Sequence, residues 1–243
     1  TVELPEICKF VKEQDALTIV DSVVTLTAMP VDMDAWGIDV GLTGGQKALS
    51  SIPGVSLCAF STDAWRALEK HPQPRPHWCY DAIRAQRFWG EHQYHYTAPV
   101  PGVLALHEAL RLVAEETLER RFRRHEMSSL ALQAGLEAMG LTLFAPKDVR
   151  LNSVIAVKLP DGANSARVRE YMTKAFRVEI SGAFGLNIVR IGQMGEQCRS
   201  HNLFKTLYAL GMGFAREGVK LDVAAGMAAL EEGLAGDREY FVD

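Results

Sequence analysis

The run from Leu17 to Val20 ends on Asp21, and a second run from Ile38 to Leu42 leads into Thr43-Gly44-Gly45. Each is too short for a helix and is closed by turn chemistry, so both read as strands. The first, continuous and apolar, has the pattern of a buried parallel strand. A third strand, Val55 to Phe60, lies between Pro53-Gly54 and Ser61-Thr62-Asp63. The latter residues supply N-cap chemistry for a helix over Ala64 to Glu69. An amphipathic helix over Glu6 to Gln14 directly precedes the first strand. Helices interleaved with strands in this way predict an α/β fold.

Composition narrows the function classes. Among 243 residues, 30 acidic and 26 basic side chains are interspersed, and 48% of residues are hydrophobic. No basic stripe suggests a polyanion, so no nucleic-acid partner is expected. The densest basic run, Arg120, Arg121, Arg123 and Arg124, follows Glu115, Glu116 and Glu119 and reads as an ion-paired helix surface. Cys8, Cys58, Cys79 and Cys198 show no CxxC pair and no zinc spacing, so no metal is expected. Cys8 and Cys58 sit in apolar runs and read as buried thiols. The chain fits a reducing, cytoplasmic compartment. No apolar run approaches the roughly 20 residues of a membrane span, and the start TVELPEICKF lacks the features of a signal peptide.

The proline-rich stretch from His71 to Pro76 reads as extended or turned. Trp78, Tyr80, Phe88, Trp89, Tyr94 and Tyr96 follow, an aromatic concentration of the kind enriched at interfaces. One long helix is expected from about Val103 to His125, continuing toward Met139, with Gly140 as its stop. Beyond it come a strand over Ser153 to Leu159, a helix over Ala166 to Phe176, short strands over Val178 to Ile180 and Asn187 to Ile191, and helices over Ser200 to Arg216 and Val223 to Leu234. That order predicts a small α+β domain over 121–243 after a partial large domain over 1–120.

The chemistry concentrates in DSVVTLTAMPVDMDAWGIDVGLTGGQKALSSIPG, residues 21 to 54. Asp21 stands at the carboxyl end of a strand, where open α/β sheets bind ligands. A carboxylate buried there needs a cationic partner, and a protonated pyridine nitrogen is one. Lys47 follows two glycines, which let backbone bend sharply beside a ligand. A lysine held partly desolvated at a cofactor forms a Schiff base, and its freed amine then moves protons. Taken singly, an Asp at a strand end is usually a turn residue and such a lysine a loop lysine. The two together, in this context, mean more.

Residues 20–54, YHYTAPV (94–100), FRVEISGAFG (176–185) and NIVRIGQMG (187–195) together resemble the class V, fold-type I aminotransferases that depend on pyridoxal 5'-phosphate (PLP). The similarity is to the alanine–glyoxylate, serine–glyoxylate and serine–pyruvate group. It implies that Lys47 is the Schiff-base lysine, that Asp21 pairs with the pyridine nitrogen, that Val23 packs on one ring face and that Gln46 helps hold the phosphate. It implies that Tyr94 and Thr97 reach the phosphate of the neighbouring subunit of a homodimer, and that Arg190 clamps the substrate carboxylate. The substrates implied are alanine or serine as donor and glyoxylate or another small 2-oxo acid as acceptor.

Cysteine desulfurases carry His where this chain has Gln46, and the ureidoglycine–glyoxylate branch carries Asn where it has Tyr94. A lyase of the same class and a non-catalytic relative are the competing readings. The tail GVKLDVAAGMAALEEGL (218–234) is more weakly similar to the bacterial serine–glyoxylate branch. The resemblance further implies a long segment ahead of Thr1, carrying the start of the large-domain sheet and a phosphate-binding loop. The 243 residues are therefore expected to be part of a longer protein.

Overall fold

The structure, a computed structural model, describes residues 3–70 and 77–236. The expected extended segment His71 to Pro76 lies outside the described residues. The chain forms two compact units, one of Glu3–Val23 with Val31–Arg111, the other of Val24–Pro30 with residues 112–236. They are called here the N-terminal and C-terminal units.

In the N-terminal unit, α1 (Leu4–Glu13) leads to β1 (Ile19–Asp21), α2 (Met33–Trp36), β2 (Val40–Gly44), β3 (Ser56–Phe60), α3 (Thr62–Lys70) and α4 (Ala82–Gly90). The strands form one sheet in the order β1-β2-β3, with β1 parallel and β3 antiparallel to β2. Ser61 caps α3, accepting from the Ala64 N–H at 3.1 Å. Two expectations fail here, and one helix was not foreseen. β1 is not buried: it is an edge strand and Ile19 is 71% exposed. Cys58 is exposed, because the β3 side chains around it are largely uncovered, while Cys8 is buried as expected. And α4, capped by Asp81, arises inside the segment read only as aromatic-rich.

The long helix is two helices. α5 (Val100–Glu116) and α6 (Leu118–Ala138) are separated by Thr117, at φ 67° and ψ 152°. Positive φ is strained for a β-branched residue, and Thr117 adopts it while capping α6 through its side chain. The break turns Glu116 back onto α6, where its carboxylate meets Arg124 and Arg121. Arg121 and Arg124 are thus buried, not on the surface, while Arg120 and Arg123 are exposed as expected. Arg124 also donates to the Gly195 carbonyl at 2.8 Å and contacts Cys198 Sγ. Burial would raise the Glu116 carboxyl, but the two guanidiniums outweigh it and hold the group at about 2. Next to them, His125 accepts from the Gly195 N–H at 2.8 Å and donates to the Arg121 carbonyl. Burial above all, and then the arginines, depress it to about 4.

The rest of the C-terminal unit comprises β4 (Val154–Lys158), α7 (Ser165–Tyr171), β5 (Ser181–Ala183), β6 (Leu186–Gly192), α8 (Ser200–Arg216) and α9 (Val223–Ala235). Its sheet is antiparallel, in the order β4-β6-β5. The strand expected over Val178 to Ile180 forms later, as β5. A π-helical turn over Met172–Phe176 ends at Arg177, φ 55°, and Val178 donates its N–H back to Met172 instead of to a strand. The core runs through Leu132, Leu136, Val157, Val189, Leu207, Leu210 and Leu230. α6 and α9 meet at glycines, since a Cβ at Gly226 would lie 2.8 Å from the Gly135 carbonyl oxygen. Among the described residues no helix is long and apolar enough to cross a membrane.

Candidate active site

β1 and β2 run side by side in parallel, with Asp21 opposite Leu42. Asp21 ends β1, and Lys47 lies in the turn that follows β2. Both therefore leave the sheet at its carboxyl edge, the ligand-binding edge of open α/β sheets. Asp21 is exposed, so the burial cost argued from sequence does not arise. Its Oδ1 accepts from the Val23 N–H at 2.9 Å. That bond orients the carboxylate and leaves Oδ2 open. Lys47 is also exposed, and its ammonium has no hydrogen-bond or ion-pair partner among the described residues.

The turn explains its own sequence. Gly45 donates to the Val55 carbonyl at 3.0 Å and accepts from Ser51 at 2.8 Å. A Cβ at Gly45 would sit 3.2 Å from that Val55 oxygen, too close for comfort. At Gly44 a Cβ would lie 2.8 Å from Gln46 Oε1 and 3.2 Å from Val23 Cγ2. Val23 and Gln46 thus converge on one glycine. Two hydroxyls flank the turn, Thr43 Oγ1 and Ser51 Oγ, each buried with no hydrogen-bond partner among the described residues. The sequence reading passed over both, although their places beside Gly-Gly-Gln-Lys were the available signal.

The reading also missed what holds the sheet edge in place. Asp39, fully buried just before β2, accepts from the Thr18 N–H at 3.0 Å, from Ser61 Oγ at 2.8 Å and from Lys12 Nζ at 3.1 Å. Burial pushes its carboxyl up. The bonds from Thr18, Ser61 and Lys12 outweigh this and hold it below the ordinary carboxylate range. One aspartate therefore ties α1, the approach to β1, the start of β2 and the cap of α3 together.

Tyr94 and Thr97 form a second locus of this unit. Their hydroxyls are 2.6 Å apart and both side chains are exposed. Between them, His95 is buried in a cage of Trp78, Phe88, Trp89 and Tyr96. Trp78 Nε1 donates to the His95 carbonyl at 2.9 Å, and His95 Nε2 donates to the Trp78 carbonyl at 3.0 Å. A carbonyl only accepts, so the imidazole proton is on Nε2. This reciprocal pair fixes the segment from which Tyr94 and Thr97 project.

Arg190 belongs to the C-terminal unit. It lies mid-β6, between Ala156 of β4 and Ser181 of β5. Its Nε donates to the Gly182 carbonyl at 2.9 Å, next to a β-bulge. The two terminal nitrogens have no partner among the described residues, which leaves a planar fork suited to a carboxylate. No group of three or more His, Cys, Asp or Glu able to hold a metal occurs among the described residues.

A lysine and an aspartate thus share the carboxyl edge of parallel strands in one unit, and the second unit is α+β. The family model for aminotransferase class-V matches residues 1–201, and the chain belongs to that family. It is 32% identical over 240 residues to the (S)-ureidoglycine–glyoxylate transaminase of Bacillus subtilis, covering 90% of this chain and 58% of that protein. It is also 32% identical over 232 residues to the alanine–glyoxylate aminotransferase of Drosophila melanogaster, covering 91% of this chain and 58% of the relative. The crystal structure of ureidoglycine–glyoxylate aminotransferase from B. subtilis superposes with a TM-score of 0.92 at 31% identity, over 96% of this chain and 62% of the other. The chain thus spans about three-fifths of the length of these relatives.

Proposed function

We propose that the chain is the PLP-bearing part of a transaminase that moves an amino group from alanine or serine to glyoxylate or another small 2-oxo acid. The observation that carries the reading is the pair Asp21 and Lys47 on one edge of the parallel strands β1 and β2. The residues suit the cofactor: an open carboxylate oxygen for a ring N–H, an amine without an ion-pair partner among the described residues, and two unsatisfied hydroxyls beside the Lys47 turn. Bound PLP supplies an electron sink for the pair left on the substrate Cα.

In this reading Lys47 Nζ would hold PLP covalently, and as a free amine would take the proton from the substrate Cα. Asp21 Oδ2 keeps the proton on the ring nitrogen. Val23 packs on the ring, and Gln46 helps hold the phosphate. Arg190 binds the substrate carboxylate with its free fork. Residues 1–120 act as the large PLP-binding part and 121–243 as the small domain. Tyr94 and Thr97 complete the phosphate site of a second copy, so the working unit is a cytoplasmic homodimer.

A second reading takes ureidoglycine as donor, on the similarity to the B. subtilis enzyme. Assaying the full-length protein with glyoxylate and each of alanine, serine and ureidoglycine decides between them. Turnover with alanine or serine at least about tenfold above ureidoglycine in kcat/KM, a difference of some 1.4 kcal/mol, supports the first. The opposite order supports the second.

A further inference from the structure

We propose that the cleft between α7 and the β5–β6 hairpin binds a small carboxylate with an apolar side chain, through the guanidinium of Arg169. The cleft holds about 550 Å³, within the usual size of small-molecule sites. Its polar side is formed by Arg169, Ser165 and Asn187, and its apolar side by Ala183, Phe184 and Leu186.

Arg169, like Arg190, differs from the ion-paired surface arginines. Arg111 pairs with Glu108, Arg123 with Glu126, Arg199 with Glu196 and Arg167 with Glu217. Arg169 has no acid. Its Nε is tied at 3.3 Å to the Ser165 carbonyl, one turn back on α7, which fixes the direction of the fork. Nη1 and Nη2 have no partner among the described residues, and neither do Ser165 Oγ and the Asn187 amide. The acids beside it are engaged elsewhere: Glu217 pairs with Arg167 at 2.8 Å, and Glu170 with Lys174. A planar, part-buried fork without a counterion, next to a free hydroxyl and a free amide, matches a carboxylate.

The far wall sets the rest of the ligand. Phe184 is fully exposed at the hairpin tip, beside Gly185 at φ 69°, and Leu186 is half exposed after it. An apolar side chain lying against these residues removes apolar surface from water. Gly182 lines the floor. A Cβ there would lie 3.6 Å from Ser165 Oγ and 3.7 Å from Arg169 Cζ. The Gly182 carbonyl also accepts from Arg190 Nε, so the site adjoins the proposed substrate clamp without using its fork.

The test measures binding of butyrate and of 1-butanol to the full-length protein by calorimetry, in four forms: wild type, Arg190→Ala, Arg169→Gln and the double variant. The expected result is saturable butyrate binding that survives in Arg190→Ala and weakens about tenfold or more when Arg169→Gln is added, with 1-butanol not bound. Loss of all butyrate binding in Arg190→Ala overturns the proposal, because the anion is then held by the clamp alone. So does unchanged affinity in the double variant, or equal binding of 1-butanol. Phe184→Ser supplies a check that leaves the fold untouched, since the side chain is fully exposed. It should weaken butyrate more than acetate, and an equal effect on both contradicts the apolar wall. Failure of the Proposed function reads separately, as transamination unaffected by Arg190→Ala.

Discussion

Each unit buries charged side chains, Asp39 in one and Arg121 with Arg124 in the other, and the two do it differently. In the N-terminal unit, Asp39 is satisfied by neighbours up to 27 positions away. It ties together α1, the approach to β1, the start of β2 and the cap of α3, in a unit whose outer strand leaves Ile19 exposed. In the C-terminal unit, Arg124 reaches Gly195 and Cys198, over 70 positions on, inside a continuous apolar core. The first is an anchor under an open edge, from which Asp21 and Lys47 project with unused bonding capacity. The second is a clasp within a closed body. The groups proposed to meet a ligand keep unused bonding capacity, whereas Asp39 and Arg124 are each engaged by several partners.

The contrast breaks most visibly at the clasp. Arg124→Ala leaves Glu116 with only Arg121 and removes one of the two donors to the Gly195 carbonyl, so unfolding stability should fall by about 3–5 kcal/mol. Denaturant titration measures it, and a loss under 1 kcal/mol would show that the clasp is ornamental. At the open edge, Asp21→Asn should leave stability unchanged and lower kcat on the order of 10²–10³-fold while PLP stays bound. Near-normal kcat would make Asp21 a turn residue only. Arg190→Ala should weaken carboxylate substrates by about 1.5–3 kcal/mol in kcat/KM, with PLP uptake intact. An equal loss for amines lacking a carboxylate rules out the clamp.

Gly226→Ala drives a methyl into the Gly135 carbonyl and Met139 and should cost about 1–3 kcal/mol in thermal or denaturant unfolding. The C-terminal unit should also show a pH dependence of its stability. Between the ordinary imidazole value of 6.5 and about 4, the unfolded chain takes up a proton that native His125 refuses. Below 4.5 the same holds for Glu116, down to about 2. Stability is therefore fully present above pH 6.5 and declines as pH falls through both ranges. His125→Gln should flatten the upper part of that decline, and an unaltered profile would show that His125 does not contribute.

Local pattern made much of this legible. The helix over Ser200 to Arg216 and the stop at Gly140 were readable because periodicity and capping are short-range signals. The family, and with it the candidate roles of Asp21 and Lys47, was readable because separated motifs occur in order. Long-range partners were not. The burial of Arg121 and Arg124 depends on Glu116 folding back through the Thr117 break and on Cys198 far downstream. Helical periodicity is the same on both sides of that break, so the two helices looked like one. Asp39 is flanked by an apolar run and carries no motif, so its role appears only when Lys12, Thr18 and Ser61 are brought to it.

The central claim is that Lys47, on the open edge beside Asp21, is the covalent anchor of PLP. Full-length protein loaded with PLP should lose its visible lysine–PLP band on borohydride reduction. Peptide mapping by mass spectrometry should then place the reduced pyridoxyl group on the peptide containing Lys47, and Lys47→Ala protein should take up no label. A label on Lys12 or Lys70, or undiminished labelling of Lys47→Ala, would contradict it.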